Sequence, residues 1–315
     1  MHNFRCAVSL VINVVIATSL ITVSLHSRSD PVLTIKHYQD HSRYKFGLAV
    51  LGLVLNRSGV AYQLTAPDSG INEGRGERLV ILGNLDLEFM STTPEREKYM
   101  IAVKIPIYSG LLGARLLLVN KSDKKAFSHV RNIEELRSFV GGHGLHWGDL
   151  PVYAANHLPV QTSATYDTLF KMLKGRRFNY FHRGISEIWG ELSQHEADLT
   201  IADNVFLFYP HPVYFFVTKS KPELAKQIEK GFKIALTDGS YKQLFDSEYK
   251  DLIQKAQLGS RKLIVLKNPV NPPCTPPIDT HWWAPEKFKV QLSQTSRDTN
   301  CSRPDTETNT SSDQQ

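Results

Sequence analysis

Three arginines and a glycine-rich run supply the residue types from which a polar binding site can be built. Arg96 closes the stretch Thr92-Thr93-Pro94-Glu95-Arg96. Its planar guanidinium can hold a carboxylate through two parallel hydrogen bonds, or pair with Glu95 or Glu97 beside it. Thr92 and Thr93 stand where a strand gives way to a helix. Their hydroxyls can cap that helix, and the N–H groups of its first turn suit an anion. Arg115 opens an extended run, and Arg183 ends another, with Glu187 one helical turn on as an internal partner. Gly141-Gly142-His143-Gly144 permits close backbone approach, either as a simple turn or as a cradle of N–H groups. Trp147, Tyr38 and Tyr180 offer rings that stack on a ligand or fill a core.

Other chemistries lack their residues. The chain has no G-x-x-x-x-G-K-[ST] loop, no G-x-S-x-G elbow, no H-E-x-x-H and no dinucleotide fingerprint. His143 and His146 lie three apart, but without the Cys/His clustering of a metal site. Asp86 and Glu88 form no evident acid–base pair. The reading is therefore of no cofactor, no metal and no catalysis. Residues 1–29 contain Arg5 and Arg28 and no acid, so their removal takes the net charge from +6 to +4. That mild excess, without a Lys/Arg block, argues against nucleic acid as a partner.

The elements that must position these residues are those of an α/β protein. Cys6–Leu25 is uncharged and follows a basic start, the pattern of a secretory signal and long enough to anchor in a membrane. Strands are expected at 32–37, 60–65, 85–90, 101–108, 114–120, 178–182 and 213–218. A first helix, capped by Asp40 or Ser42, buries Phe46, Ala49, Val50, Leu53 and Val54 and ends at Gly59. Further helices are expected at 72–81, 133–139, 166–173 and 186–192. Pro222 opens a helix whose stripe is Leu224, Ile228, Phe232 and Ala235, and Ser240 caps another with Tyr241, Leu244 and Phe245. From Asn268 the chain is Pro-rich, and its last 25 residues have almost no large apolar side chains, which predicts disorder. Cys274 and Cys301 both fall in that tail and are the two candidates for pairing after export.

Three segments carry a resemblance. They are LDLEFMSTTPER (85–96) with IPIYSGLLGARLLLV (105–119), LKGRRFNY (173–180), and PELAKQIEKGFKIALTDGSYKQLF (222–245). Together they resemble the family 3 extracellular solute-binding proteins, which include amino-acid receptors of ABC importers, across roughly residues 31–260. The resemblance implies a type 2 periplasmic-binding-protein fold: two lobes, each a mixed sheet flanked by helices, joined by two crossover strands, with the ligand in the cleft between. The boundaries that follow are 30–110 with 208–267 for the first lobe, 111–207 for the second, and 268–315 for the tail.

The same resemblance implies that Arg96 meets a ligand carboxylate and that Arg115 lies on a crossover near the cleft. It also implies that His143 and Gly144 present backbone to the ligand. Asn179 stands where the family's Asp meets a ligand amino group. The implied task is capture of a small polar, carboxylate-bearing solute by a monomer in the periplasm, for an importer's membrane component or a sensor. A membrane-tethered sensory or scaffold protein, and a hydrolase or lyase on the same scaffold, are the other tasks this fold admits.

Overall fold

The computed structural model describes residues 32–39, 44–67, 71, 73–272 and 275. The signal or anchor at 1–29, the caps at Asp40 and Ser42, Cys274, Cys301 and nearly all of the Pro-rich tail lie outside the described residues.

The first half comprises β1 (Leu33–Lys36), α1 (Lys45–Ser58), β2 (Tyr62–Thr65), α2 (Glu73–Ile81), β3 (Leu87–Ser91), α3 (Pro94–Tyr99) and β4 (Met100–Val103). In α1 the expected stripe buries Phe46, Val50 and Val54, while Ala49 is exposed. The helix ends at Gly59, whose φ of 84° is left-handed, a conformation that costs glycine nothing. β1 and β2 pair in parallel, Leu33 opposite Tyr62. The buried Gln39 then ties this pair to β3. Its side-chain amide donates to the Phe89 carbonyl and accepts from the Phe89 N–H, both at 2.8 Å.

The second half comprises β5 (Ala114–Asn120), α4 (Lys124–Phe127), α5 (Ile133–Leu136), β6 (Gly141–Gly144), α6 (Leu150–Ala155), β7 (Val160–Ser163), α7 (Tyr166–Lys174), β8 (Tyr180–Gly184), α8 (Ile188–Ser193), β9 (Leu199–Ile201) and β10 (Val205–Phe208). The chain then returns to form β11 (Val213–Thr218), α9 (Pro222–Thr237) and α10 (Ser240–Ala256), and finishes with β12 (Lys262–Val265). All six residues of β11 are buried, as an unbroken apolar run requires of a central strand. β11 lies between β3 and β4, antiparallel to both. The larger sheet runs β12-β10-β5-β8-β6-β7, with β9 also against β5.

Several expectations are corrected by this arrangement. Gly141–Gly144 is neither a turn nor a cradle of N–H groups; it is a fully buried strand, parallel to β7 and β8. Its glycines make room for rings. A Cβ on Gly142 would lie 2.2 Å from Phe178, and one on Gly144 would lie 2.4 Å from Trp147. The strand expected at 101–108 stops at Val103, and the helix at 133–139 shortens to Ile133–Leu136. Gly239, φ 79°, precedes α10 at the cap position, and the Ser240 N–H donates to Asp238. β12, placed with the first half by the expected boundaries, pairs in parallel with β10 in the larger sheet.

Two segments cross between the halves side by side, 104–113 and 209–212. The Tyr209 N–H donates to the Gly113 carbonyl and the Ile107 N–H to the Val213 carbonyl. A Cβ on Gly113 would fall 2.0 Å from the Tyr209 oxygen, so this contact admits only glycine. One apolar cluster passes through the crossing, from Val50 and Phe232 by way of Ile107 and Leu111 to Leu116 and Phe181.

α1 and α9 approach closely because Gly231 faces α1. A Cβ there would lie 1.7 Å from the Val54 carbonyl oxygen. Gly231→Ala is expected to lose about 1–3 kcal/mol by overpacking, despite alanine's better helix propensity. Gly190→Ala in α8, with nothing within 4 Å of the new methyl, should gain up to about 1 kcal/mol. Urea unfolding of both variants checks the pair, and equal effects would mean the α1–α9 approach is not tight.

Candidate functional site

Arg115 opens β5 where that strand is flanked on both sides, with Leu207 of β10 and Gly184 of β8 opposite it. A guanidinium in such a place must be paired. Its Nε donates to the Tyr209 hydroxyl at 2.9 Å and its NH2 to Asp149 Oδ2 at 3.2 Å. Tyr209 also donates to Asp149. His143 presents Nε2 to Asp149 Oδ1 at 3.3 Å, outside good hydrogen-bond geometry, and its Nδ1 faces the Gly144 carbonyl at 2.8 Å. Burial opposes the charge on Asp149, but the contact with His143 and the Arg115 guanidinium hold its carboxyl well below the usual carboxylate range. Burial likewise works against Arg115, and Tyr209 and Asp149 more than offset it, raising its pKa.

Arg183, in β8, is the second buried guanidinium. Both Glu191 oxygens accept from its Nε, at 2.8 and 2.9 Å. Its NH2 reaches Glu191 at 2.7 Å and Glu187 at 3.2 Å. It also lies over the rings of Trp147, Phe181 and Tyr166, at 4.9, 5.0 and 5.6 Å, positions in which a guanidinium is attracted to the ring face. Beside it, His182 stacks on Tyr153 at 4.1 Å, and neither of its ring nitrogens has a hydrogen-bond partner. Burial pushes its pKa well below the ordinary value.

Arg96 belongs to a separate cluster. Its Nε and NH2 donate to the two oxygens of Glu77 at 3.1 and 3.0 Å. Its NH1 donates to the Ser91 carbonyl at 2.6 Å and hydroxyl at 3.3 Å. The fork that could take a ligand carboxylate thus holds a carboxylate of the chain itself, from α2. Thr93 caps α3 by accepting from the Arg96 N–H at 3.2 Å, and the Thr92 hydroxyl donates to Glu97 at 2.8 Å. Asn179 accepts from the Val140 N–H at 2.8 Å and pins the starts of β6 and β8 together. The buried Tyr38 donates to Glu88 at 2.9 Å, and burial pushes Glu88 up to about 7.

A cleft of about 570 Å³ opens between these clusters. The first half contributes Tyr44, Lys45, Glu73 and Phe89–Ser91 to its walls. Tyr108, Leu112, His211 and Val213 come from the crossing segments and their flanks, Ser186 and Glu187 from the second half, and Glu248 and Tyr249 from α10. Burial pushes His211 down to about 4. None of the ten residues singled out from the sequence lines the cleft directly. Three cleft residues are their contacts: Ser91 accepts from Arg96, the Met90 sulfur lies 3.5 Å from the Tyr38 hydroxyl, and Glu187 meets Arg115 and Arg183. Arg115, His143, Gly144, Trp147 and Arg183 form one group. Arg96, Thr92 and Thr93 form another, and Tyr38 and Asn179 stand apart.

Sequence reasoning missed Asp149, Tyr209, Glu191, His211 and Glu77. Apart from the Arg183–Glu191 and His143–Asp149 pairs, their polar partners lie 19 or more residues away along the chain, and no spacing rule announces such contacts.

No family model matches the chain, and no curated protein matches it. Solved structures that it resembles include an ancestral arginine-binding protein bound to arginine, 17% identical, over 69% of this chain and 98% of that one, TM-score 0.46. Substrate binding domain 2 of GlnP from Lactococcus lactis, in open conformation, is 15% identical over 70% and 96%, TM-score 0.47. The VFT2 domain of BvgS from Bordetella pertussis is 12% identical over 70% and 94%, TM-score 0.49. At these identities they are likenesses only.

The unpartnered, desolvated His182 sets a pH dependence. Its folded-state pKa lies below the unfolded value of about 6.5, so the folded state loses stability as pH falls below that value. His182→Phe keeps a ring on Tyr153 and removes two unsatisfied nitrogens, and is expected to add about 1–3 kcal/mol at pH 7. The gain should be larger at pH 5, as read by urea unfolding. A variant no more stable than the parent at either pH would show that the imidazole is hydrogen-bonded after all.

Proposed function

We propose that the chain is a non-catalytic binding protein that captures a small polar, carboxylate-bearing solute in this cleft by closure of its two halves. Residues 6–25 direct it to the periplasm, cleaved or retained as an anchor. There, as a monomer, it serves an importer's membrane component or a sensor. Among the described residues no helix is long and apolar enough to cross a membrane.

One observation carries the carboxylate reading. Arg115 is locked by its Nε and NH2, yet its NH1 makes no hydrogen bond and has the cleft residue Glu187 at 3.6 Å as its nearest acid. An oriented donor pair with no hydrogen-bond acceptor at the edge of a solute-sized cleft suits an incoming carboxylate. Arg96 fits the anchor role less well, because Glu77 and Ser91 occupy its fork; it braces the cleft wall from behind. Tyr44, Tyr108 and Tyr249 supply faces against which an apolar part of the solute packs.

A thermal-shift screen of amino acids, dicarboxylates, small peptides and sugars tests this. A solute at 100 times its dissociation constant should add about 2.7 kcal/mol of stability. Ser186→Trp, at an exposed cleft position, should abolish that shift while changing the unliganded stability by about 0.5 kcal/mol or less. If the solute stabilises the blocked variant as well as the parent, it binds elsewhere and the cleft is not its site.

A further inference from the structure

The buried arginine cluster holds one carboxylate more than its guanidinium groups require. Asp149 is committed to Arg115 and Tyr209, and Glu191 to Arg183; their side chains are 10% and 11% exposed. The third, Glu187, is 45% exposed and more loosely held. Its Oε2 accepts from the Gly184 N–H at 3.1 Å and lies 3.2 Å from Arg183 NH2 and 3.6 Å from Arg115 NH1. Those three donors converge on one oxygen position at the cleft wall.

The chain keeps that position open. Gly184 has no left-handed φ that would call for glycine. A Cβ there would lie 2.9 Å from Glu187 Oε2 and 3.4 Å from Arg115 NH1. The glycine clears space at the point where the carboxylate sits.

We propose that Arg115 NH1, Arg183 NH2 and the Gly184 N–H form a seat for a carboxylate, and that Glu187 is its tethered occupant, displaced when a solute binds. This rests on reading the cleft as a solute site. The exchange leaves the charge of the buried cluster unchanged: one carboxylate departs to solvent as another arrives. A half-exposed side chain on a loop can swing out without disturbing the core, whereas Asp149 and Glu191 cannot. The tether also sets a threshold. A solute competes with an internal carboxylate, so its apparent affinity falls by the fraction of molecules in which the seat is vacant.

Isothermal titration with acetate and with succinate, at constant ionic strength made up with chloride, tests the seat in the parent, Glu187→Ala and Glu187→Gln. With the seat vacant in about a tenth of parent molecules, Glu187→Ala should bind succinate about tenfold more tightly, and Glu187→Gln should fall between. Gly184→Ala combined with Glu187→Ala should lose the gain, because the new methyl intrudes on the seat. Circular dichroism confirms that each variant is folded. If Glu187→Ala binds neither anion more tightly than the parent, or the double variant keeps the full gain, the seat is overturned. The broader solute reading is judged separately, by whether any screened compound shifts the parent and is blocked by Ser186→Trp. A parent that binds a solute beside a Glu187→Ala variant without gain sinks the seat alone. A gain in Glu187→Ala with no solute for the parent sustains the seat and sinks the broader reading.

Discussion

The desolvated guanidinium of Arg115 is the constraint around which the middle of the molecule is arranged. It stands at the start of a strand flanked on both sides, at the point where the chain crosses between halves. A charge taken out of water there is strongly unfavourable unless hydrogen-bonded and paired. Asp149 supplies the countercharge from the segment after β6, and Tyr209 supplies an acceptor from the return crossing. Three stretches distant in sequence are held in register by one side chain. Removing either partner would leave the other buried without its charge or hydrogen bond.

That arrangement imposes others. Asp149 reaches Arg115 from a loop that carries Trp147 back over Gly144, and only glycine leaves room for the ring. Trp147 then forms one face of the stack around Arg183, whose remaining donors take Glu191 and Glu187. The glycines of β6, the tryptophan and the two arginines are parts of one packing solution. Its outermost member, Glu187, is the one that faces the cleft.

The sequence was informative where local pattern and tertiary role coincide. β11 and β5 are apolar runs buried on both faces. α9 keeps the stripe Leu224, Ile228, Phe232 and Ala235 that its spacing foretells. The same reasoning failed at Gly141–Gly144, because glycine's local preference is for turns, while the reason for glycine here is rings at Phe178, Tyr180 and Trp147. β7, β9, β10 and β12 are strands of three or four residues, too short for a period to show. Arg96 was legible as a residue able to grip a carboxylate; that the carboxylate belongs to Glu77 was not, since nothing in the local sequence couples α2 to α3.

The way the halves are joined decides how a cleft here can open. Among the described residues no strand ladder runs from the β3-β11-β4 sheet into the larger one, so a rotation between halves breaks no sheet there. The two crossing segments lie together, bonded through Gly113 and Tyr209, and are the axis about which the proposed closure turns. Ser109 and Gly110, φ 46° and 76°, mark irregular backbone on the first of them. Residues 257–261, between α10 and β12, also join the halves, and nearby Lys255 of α10 lies over Trp189 of α8 at 4.4 Å. A motion about that axis must carry Ser186 and Glu187 relative to Tyr44, Lys45 and Glu248, the residues on opposite walls. The guanidinium pairs of Arg115 and Arg183 stay within the second half and the return crossing. In the proposed closure the charged cluster therefore travels as one wall, and the change that faces a solute falls on the loop that carries Glu187.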